Sequence, residues 1–98
     1  MNSIPTNATV AMMIDNPHGS QKLYEQLVDT LSLSRPAGGI LHLAGPSPAG
    51  GWRVIEVWPS VEAAGQFLSE QFGPALRRAG AQGPPPQPEF WPVHRFLA

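Results

Sequence analysis

The sequence contains no cysteine. That absence excludes disulfides, thiol nucleophiles and thiolate metal sites, and it fits a reducing cytoplasm. An excess of charge of one sign is also lacking, because six basic and seven acidic residues leave a formal net charge of −1. A chain without a basic surplus has no electrostatic footprint for nucleic acid or for an anionic membrane. We therefore expect neither as a partner.

Long apolar runs are missing as well. No stretch approaches the ~20 residues that span a bilayer, and the first residues lack the basic start and apolar core of a signal peptide. The 98 residues have room for one domain, residues 1–98, and a domain this small buries only a modest share of its surface when it folds alone. We expect a single cytoplasmic domain that gains further stability from a partner.

Several chemical motifs are absent too. The three histidines form no His-x-His and no pair four residues apart on a helix, so no metal site is expected. The glycine-rich stretch at residues 45–51 lacks the lysine and the following helix of a phosphate cradle. No Gly-x-Ser-x-Gly occurs, which removes support for a serine hydrolase.

What the sequence does contain is a regular alternation of apolar runs and turn residues that predicts the order βαββαβ. Strands are predicted over residues 8–14, 40–44, 52–58 and 89–97. Helices are predicted from the N-caps Ser20 and Ser60, the first ending before Arg35-Pro36 and the second broken at Gly73-Pro74 and extended over residues 75–79. This order is the α+β, ferredoxin-like arrangement, in which two helices cover one face of a four-stranded antiparallel sheet. Pro92 lacks an amide hydrogen, which places the last strand at an edge.

Both faces of the predicted sheet are apolar. Alternation sends Trp52, Val54, Glu56 and Trp58 to one face and Arg53, Ile55 and Val57 to the other. Two helices can cover only one of these faces, and an uncovered apolar face of several hundred Å² marks an interaction surface. We expect a symmetric homodimer, sheet against sheet, with a cavity between the two faces.

The chain resembles the dimeric α/β-barrel superfamily, especially its small stand-alone members related to antibiotic-biosynthesis monooxygenases. The likeness is carried by residues 51–76, where Gly-Trp-Arg-Val-Ile-Glu-Val-Trp-Pro-Ser is followed by Glu62-Ala63, Phe67 and Gly73-Pro74-Ala75-Leu76. It extends more weakly to residues 17–28, 41–46 and 90–94. The resemblance implies a dimeric barrel whose relatives include cofactor-free monooxygenases, polyketide cyclases, isomerases, haem-handling proteins and domains without known activity. The monooxygenases often carry a histidine late in the second helix, where this chain has Phe67, Leu68 and Phe72.

Three residues are the candidates for acid/base catalysis. If the face with Glu56 lines the cavity, His42 shares that face through hairpin pairing, and His94 joins it from the last strand. The alternative is a structural role, in which Glu56 forms a salt bridge across the dimer with Arg53 or Arg95 and His42 is a satisfied interface residue.

Apolar residues are the candidates for the walls of a substrate pocket. Trp52 and Trp58, with Val54, Met13 and Phe90, would contact a flat ring system, and the alternative is that they form the core. Tyr24 is interpreted as a packing or surface residue. The sequence thus predicts an enzyme without cofactor that cyclises, oxygenates or isomerises a hydrophobic aromatic or polyketide-like small molecule. The alternative is a non-catalytic barrel that binds a ligand or supports a partner.

Overall fold

The computed structural model describes residues 4–5, 7–31, 39–81 and 83–97. Its strands are β1 (Val10–Asn16), β2 (Leu41–Pro46), β3 (Trp52–Trp58) and β4 (Glu89–Pro92), and its helices are α1 (Gln21–Leu31), α2 (Val61–Phe67) and α3 (Gly73–Arg78), with a π-helical turn (Leu68–Phe72) between the last two. The predicted ferredoxin-like fold is confirmed. The predicted end of the first helix, before Arg35-Pro36, lies outside the described residues.

The four strands form one antiparallel sheet in the order β2-β3-β1-β4. β4 lies at an edge, as Pro92 predicts, but it ends at Pro92 instead of continuing to residue 97. β1 continues two residues past its predicted end, because Asp15 and Asn16 pair with Arg53 and Trp52 of β3. This register pairs Val10, Met12 and Ile14 of β1 with Trp58, Glu56 and Val54 of β3, so these six residues share one face of the sheet.

Local hydrogen bonds explain where the helices begin and end. The hydroxyl oxygens of Ser20 and Ser60 accept from the backbone N–H groups three residues later, at 3.1 and 3.0 Å, so both predicted N-caps are present. α3 ends two residues before Gly80, whose φ of +76° is the left-handed conformation. There the N–H of Ala81 bonds to the carbonyl of Leu76 at 3.1 Å, which closes a Schellman motif.

The predicted break at Gly73-Pro74 is wrong. The backbone stays helical through Gly73, with φ −57° and ψ −51°. The preceding turn widens to a π-helix, in which the N–H of Gly73 bonds to the carbonyl of Leu68, five residues back. Pro74 is the second residue of α3 and lies in its first turn, where its missing N–H costs little. The π-helical turn therefore lets the chain pass a proline without leaving the helical path.

Two apolar clusters hold the helices in place. The first joins the inner face of the sheet to α2, through Val10, Met12, Ile14, Trp58, Ala64 and Phe67. The second joins α1 to α3 through Leu27, Ala75 and Leu76. α1 therefore packs mainly on α3, and a space remains between α1 and the sheet. Among the described residues, no helix is long and apolar enough to cross a bilayer.

The outer face of the sheet, opposite the helices, is partly apolar and partly charged. Leu43 and Trp91 are 54 % and 42 % exposed on it. Arg53 lies on the same face and binds both carboxylate oxygens of Asp15, at 2.7 and 2.8 Å. This pairing lowers the pKa of Asp15 and raises that of Arg53. Arg53 is thus engaged within the chain, on the face of the sheet opposite to Glu56.

Candidate functional site

A cavity of about 270 Å³ lies between α1 and the inner face of the sheet. It occupies the space that α1, anchored on α3, leaves open. Most of its wall is apolar. The apolar residues of the wall are Ile14, Leu23, Leu27, Val28, Leu31, Trp52, Val54, Phe67 and Phe72. The sequence predicted the cavity between the sheets of two copies, whereas this one lies within a single chain, because α1 does not close onto the strands.

Two polar side chains enter the cavity wall from the β2–β3 hairpin. His42 lies directly opposite Glu56 in the strand register, and Nδ1 of His42 is 2.7 Å from Oε2 of Glu56. Glu56 is only 2 % exposed. Its other oxygen, Oε1, accepts a hydrogen bond of 3.0 Å from the indole N–H of Trp58. Both carboxylate oxygens are therefore engaged, and the carboxylate is fixed in place.

Tyr24 of α1 completes the group from across the cavity. Its hydroxyl oxygen is 2.7 Å from Nε2 of His42, and the two rings stack with centroids 5.8 Å apart and planes 19° apart. Burial raises the pKa of Tyr24, and the negative charges of Glu25 and Glu56 add to this effect. The phenol thus keeps its proton at neutral pH. It is placed to donate this proton to His42 in a hydrogen bond.

The donor and the acceptor of each hydrogen bond follow from the groups that each side chain carries. The indole N–H of Trp58 can only donate, so Glu56 accepts from it. We assign the hydrogen of His42 to Nδ1, where the carboxylate of Glu56 accepts it, and this leaves Nε2 to accept from the hydroxyl of Tyr24. The result is a continuous chain, Tyr24 to His42 to Glu56, which we call the relay. A carboxylate that orients an imidazole, itself bonded to a phenol, is an arrangement suited to proton transfer.

The structure places some of the predicted site residues at the cavity and others away from it. His42 and Glu56 meet, and Trp52 and Val54 line the cavity beside them. Trp58 does not line the cavity but lies 1 % exposed beneath Glu56. Three further predicted site residues, Met13, Phe90 and His94, do not line the cavity.

Met13 pairs with Ile55 on the outer face, because strand alternation turns it away from the helices. Phe90 faces inward opposite Met12 but packs against the first apolar cluster, and it is not among the residues of the cavity wall. His94 is exposed beyond the end of β4 and is likewise absent from that wall. The structure therefore places Met13, Phe90 and His94 away from this cavity.

Sequence reasoning missed Tyr24. The available signal was its position beside Leu23 and one turn before Leu27 and Val28, which places it on the border of the apolar stripe of α1. A phenol at such a border can reach either solvent or the interior. Only the distance between α1 and β2 shows that its hydroxyl meets His42.

Tyr24 offers a direct test of this geometry, because it is the single tyrosine of the chain. We expect its phenolate absorbance to appear with a midpoint above the ordinary value of 10.0 in the folded protein, and near that value in urea. Stability from the neutral phenol is fully present below pH 10 and is lost as the pH rises through the folded pKa. Equal midpoints in the folded and unfolded protein would show that the phenol is neither buried nor near the carboxylates.

The fold and the cavity together define a ferredoxin-like α/β protein with a small-molecule-sized chamber between sheet and helices. The chain is similar in structure to a protein assigned as an antibiotic biosynthesis monooxygenase from Chloroflexus aurantiacus J-10-fl, with a TM-score of 0.57 and 17 % identity over 93 % of this chain and 95 % of that one. It is also similar to a mutant of SnoaB, a cofactor-independent oxygenase from Streptomyces nogalater, with a TM-score of 0.55 and 15 % identity over 93 % and 97 % of the two chains. No protein-family model matches the sequence, and no curated protein matches it. The structural similarities confirm the fold that residues 51–76 predicted.

Proposed function

We propose that the chain is an enzyme without cofactor that transfers protons on a hydrophobic aromatic or polyketide-like small molecule in the cavity. The observation that carries the proposal is the relay, in which Tyr24, His42 and Glu56 are joined by two hydrogen bonds of 2.7 Å at the wall of an apolar chamber. Catalytic acid/base groups need this combination of contact distance and restricted water. The similarity to a cofactor-independent oxygenase supports the class of chemistry.

The relay gives each residue a role. Tyr24 is the residue whose oxygen faces the ligand, and it exchanges a proton with it. His42 accepts the phenolic proton at Nε2 while Glu56 stabilises the resulting imidazolium through Nδ1–H. Removal of a proton from a phenol or from a carbon beside a carbonyl leaves an anion that can cyclise or isomerise without a co-reactant. Oxygenation begins with the same step and takes dioxygen as its co-substrate.

The cavity volume suggests which compound to try. A chamber of 150 Å³ in another protein holds benzene, and the cavity here, at about 270 Å³, is nearly twice as large. The test compound is therefore 2-tetralone, a neutral two-ring ketone with acidic hydrogens beside its carbonyl. We expect the protein to accelerate exchange of those hydrogens for deuterium in heavy water, measured by proton NMR.

Variants separate catalysis from binding. Tyr24→Phe and His42→Gln should each slow the catalysed exchange by about 10²–10⁴-fold, whereas Gln66→Ala, an exposed change on α2, should leave it unchanged. Binding of 2-tetralone without exchange above the buffer rate would favour the ligand-binding alternative. Equal exchange by the wild type and both relay variants would contradict the proposed roles.

We further propose that the outer sheet face pairs with a second copy of the chain. The support is the exposure of Leu43 and Trp91 on a face that the helices do not cover, together with the small size of the domain. The wild type should sediment as a dimer, and Leu43→Glu should shift it toward monomer while Gln66→Glu on α2 should not. A wild-type monomer at high concentration would contradict this assembly.

A further inference from the structure

The charges of the cavity wall are all of one sign. Glu56 lies inside and Glu25 lies at the wall on α1, and no lysine or arginine is among the lining residues. A carboxylate or phosphate in the cavity would lose water and face two negative charges without a cation to offset them. The described wall therefore disfavours anions.

The cavity also contains a hydrogen-bond donor without an acceptor. The indole nitrogen of Trp52 is buried, and no partner for it occurs among the described residues. A buried donor left unpaired costs free energy, so its occurrence in a native structure calls for a physical reason. Trp52 lines the cavity, its side chain is partly exposed, and its ring lies 5.4 Å from that of Tyr24.

Two of the other donors at the wall have partners. The hydroxyl of Tyr24 donates to His42, and the Nδ1–H of His42 donates to Glu56. Asn16 and Ser20 also carry side-chain donors at the wall, but the indole nitrogen of Trp52 is the buried one that has no partner among the described residues. An indole N–H is neutral and can only donate, so it pairs with an acceptor oxygen such as that of a carbonyl group.

We propose that Trp52 is a specificity-determining residue that selects neutral aromatic ketones, because its indole N–H donates to the carbonyl oxygen of the ligand. This inference rests on the proposed function in taking the cavity as the substrate site, and it names the substrate class. The ligand lies with its rings on the apolar wall and its carbonyl toward Trp52. That orientation brings the acidic hydrogens beside the carbonyl near Tyr24, whose ring is tilted by 35° against that of Trp52.

Three probes of similar shape test the assignment by binding alone. They are 2-acetonaphthone, which is a neutral ketone, 2-ethylnaphthalene, which has the same outline without the oxygen, and 2-naphthoate, which is an anion. Equilibrium dialysis against the intact protein gives the three affinities. We expect the ketone to bind at least tenfold more tightly than the anion.

The variant Trp52→Phe isolates the hydrogen bond. It should weaken binding of the ketone relative to 2-ethylnaphthalene by about three- to tenfold, the range that one neutral hydrogen bond provides. The hydrocarbon serves as the internal control, because loss of its binding as well would report a damaged wall. Trp52→Tyr, which retains an aromatic ring and a donor, should recover part of the ketone preference.

Each contrary result has a defined meaning. An unchanged ratio of ketone to hydrocarbon in Trp52→Phe would overturn the role of Trp52. Binding of 2-naphthoate as tight as that of the ketone would overturn the charge selection, and failure of all three probes to bind would overturn the substrate class. None of these measurements involves turnover, so they stand apart from the deuterium-exchange test of the relay.

Discussion

Replacing Glu56 with alanine should lower the free energy of unfolding by about 3 kcal/mol, because each buried donor left unpaired costs about 1–3 kcal/mol. Two donors lose their acceptor in this variant, the indole N–H of Trp58 and the Nδ1–H of His42. Trp58 is 1 % exposed and has no access to water, so it carries most of the loss. The side chain of His42 is 22 % exposed, and water recovers part of its bond.

Urea denaturation measures this effect, with the loss read from the midpoint at an unchanged slope. Glu70→Ala is the matched control, since Glu70 is exposed and its replacement should change stability by no more than about 0.5 kcal/mol. Glu56→Gln should fall between the two, because an amide keeps one acceptor oxygen and presents N–H groups to the other donor. If Glu56→Ala were as stable as Glu70→Ala, the hydrogen bonds of the Glu56 carboxylate to His42 and Trp58 would not stabilise the fold.

Gly51→Ala should be the more damaging of two neighbouring glycine substitutions. Gly51 has a φ of +80°, and a Cβ there would lie 2.1 Å from the carbonyl oxygen of Asn16 and 2.7 Å from the Cα of Pro17. Both contacts are with backbone, so no side-chain rotation relieves them. The left-handed conformation alone costs a non-glycine residue about 1–3 kcal/mol, and the overlap adds to it.

Gly50→Ala is the control that separates these two causes. Gly50 also has a positive φ, +100°, but a Cβ there would meet nothing within 4 Å. We expect Gly51→Ala to lose about 2 kcal/mol more than Gly50→Ala in urea denaturation, the scale of a packing overlap. Equal losses would mean that the β2–β3 turn does not lie against the end of β1.

This turn matters to the site as well as to stability. It joins the two strands whose register places His42 opposite Glu56. A change in the turn that shifts one strand by one residue would send one of the two side chains to the outer face. The geometry of the relay therefore depends on Gly51 as well.

Much of the fold could be predicted because its signals are local. Ser20 and Ser60 mark helix starts through their own side chains, and Pro92 marks an edge strand through its missing N–H. The pairing of His42 with Glu56 could also be foreseen, because a short hairpin fixes which residues lie opposite each other. The break at Gly73-Pro74 was mispredicted, since the π-helical turn accommodates the proline by a rearrangement that the residue types alone do not indicate.

The rest of the site depends on how far α1 stands from the sheet. That distance is set by the packing of Leu27 on α3, which no periodicity in the sequence specifies. It determines both that the cavity lies within one chain and that Tyr24 reaches His42. Sequence alternation likewise placed Trp58 on the correct face but could not show that Trp58 would bond to Glu56 instead of lining the cavity.

The central claim is that the relay runs from Tyr24 through a neutral His42 to Glu56, and the protonated nitrogen of His42 tests it most directly. Long-range proton–nitrogen correlation spectra of isotopically labelled protein distinguish the two imidazole tautomers, and His42→Gln identifies the signals of His42 among those of the three histidines. The account predicts that Nδ1 carries the hydrogen and that Nε2 does not, because Glu56 accepts from the first and Tyr24 donates to the second. A hydrogen on Nε2 with none on Nδ1 would contradict it.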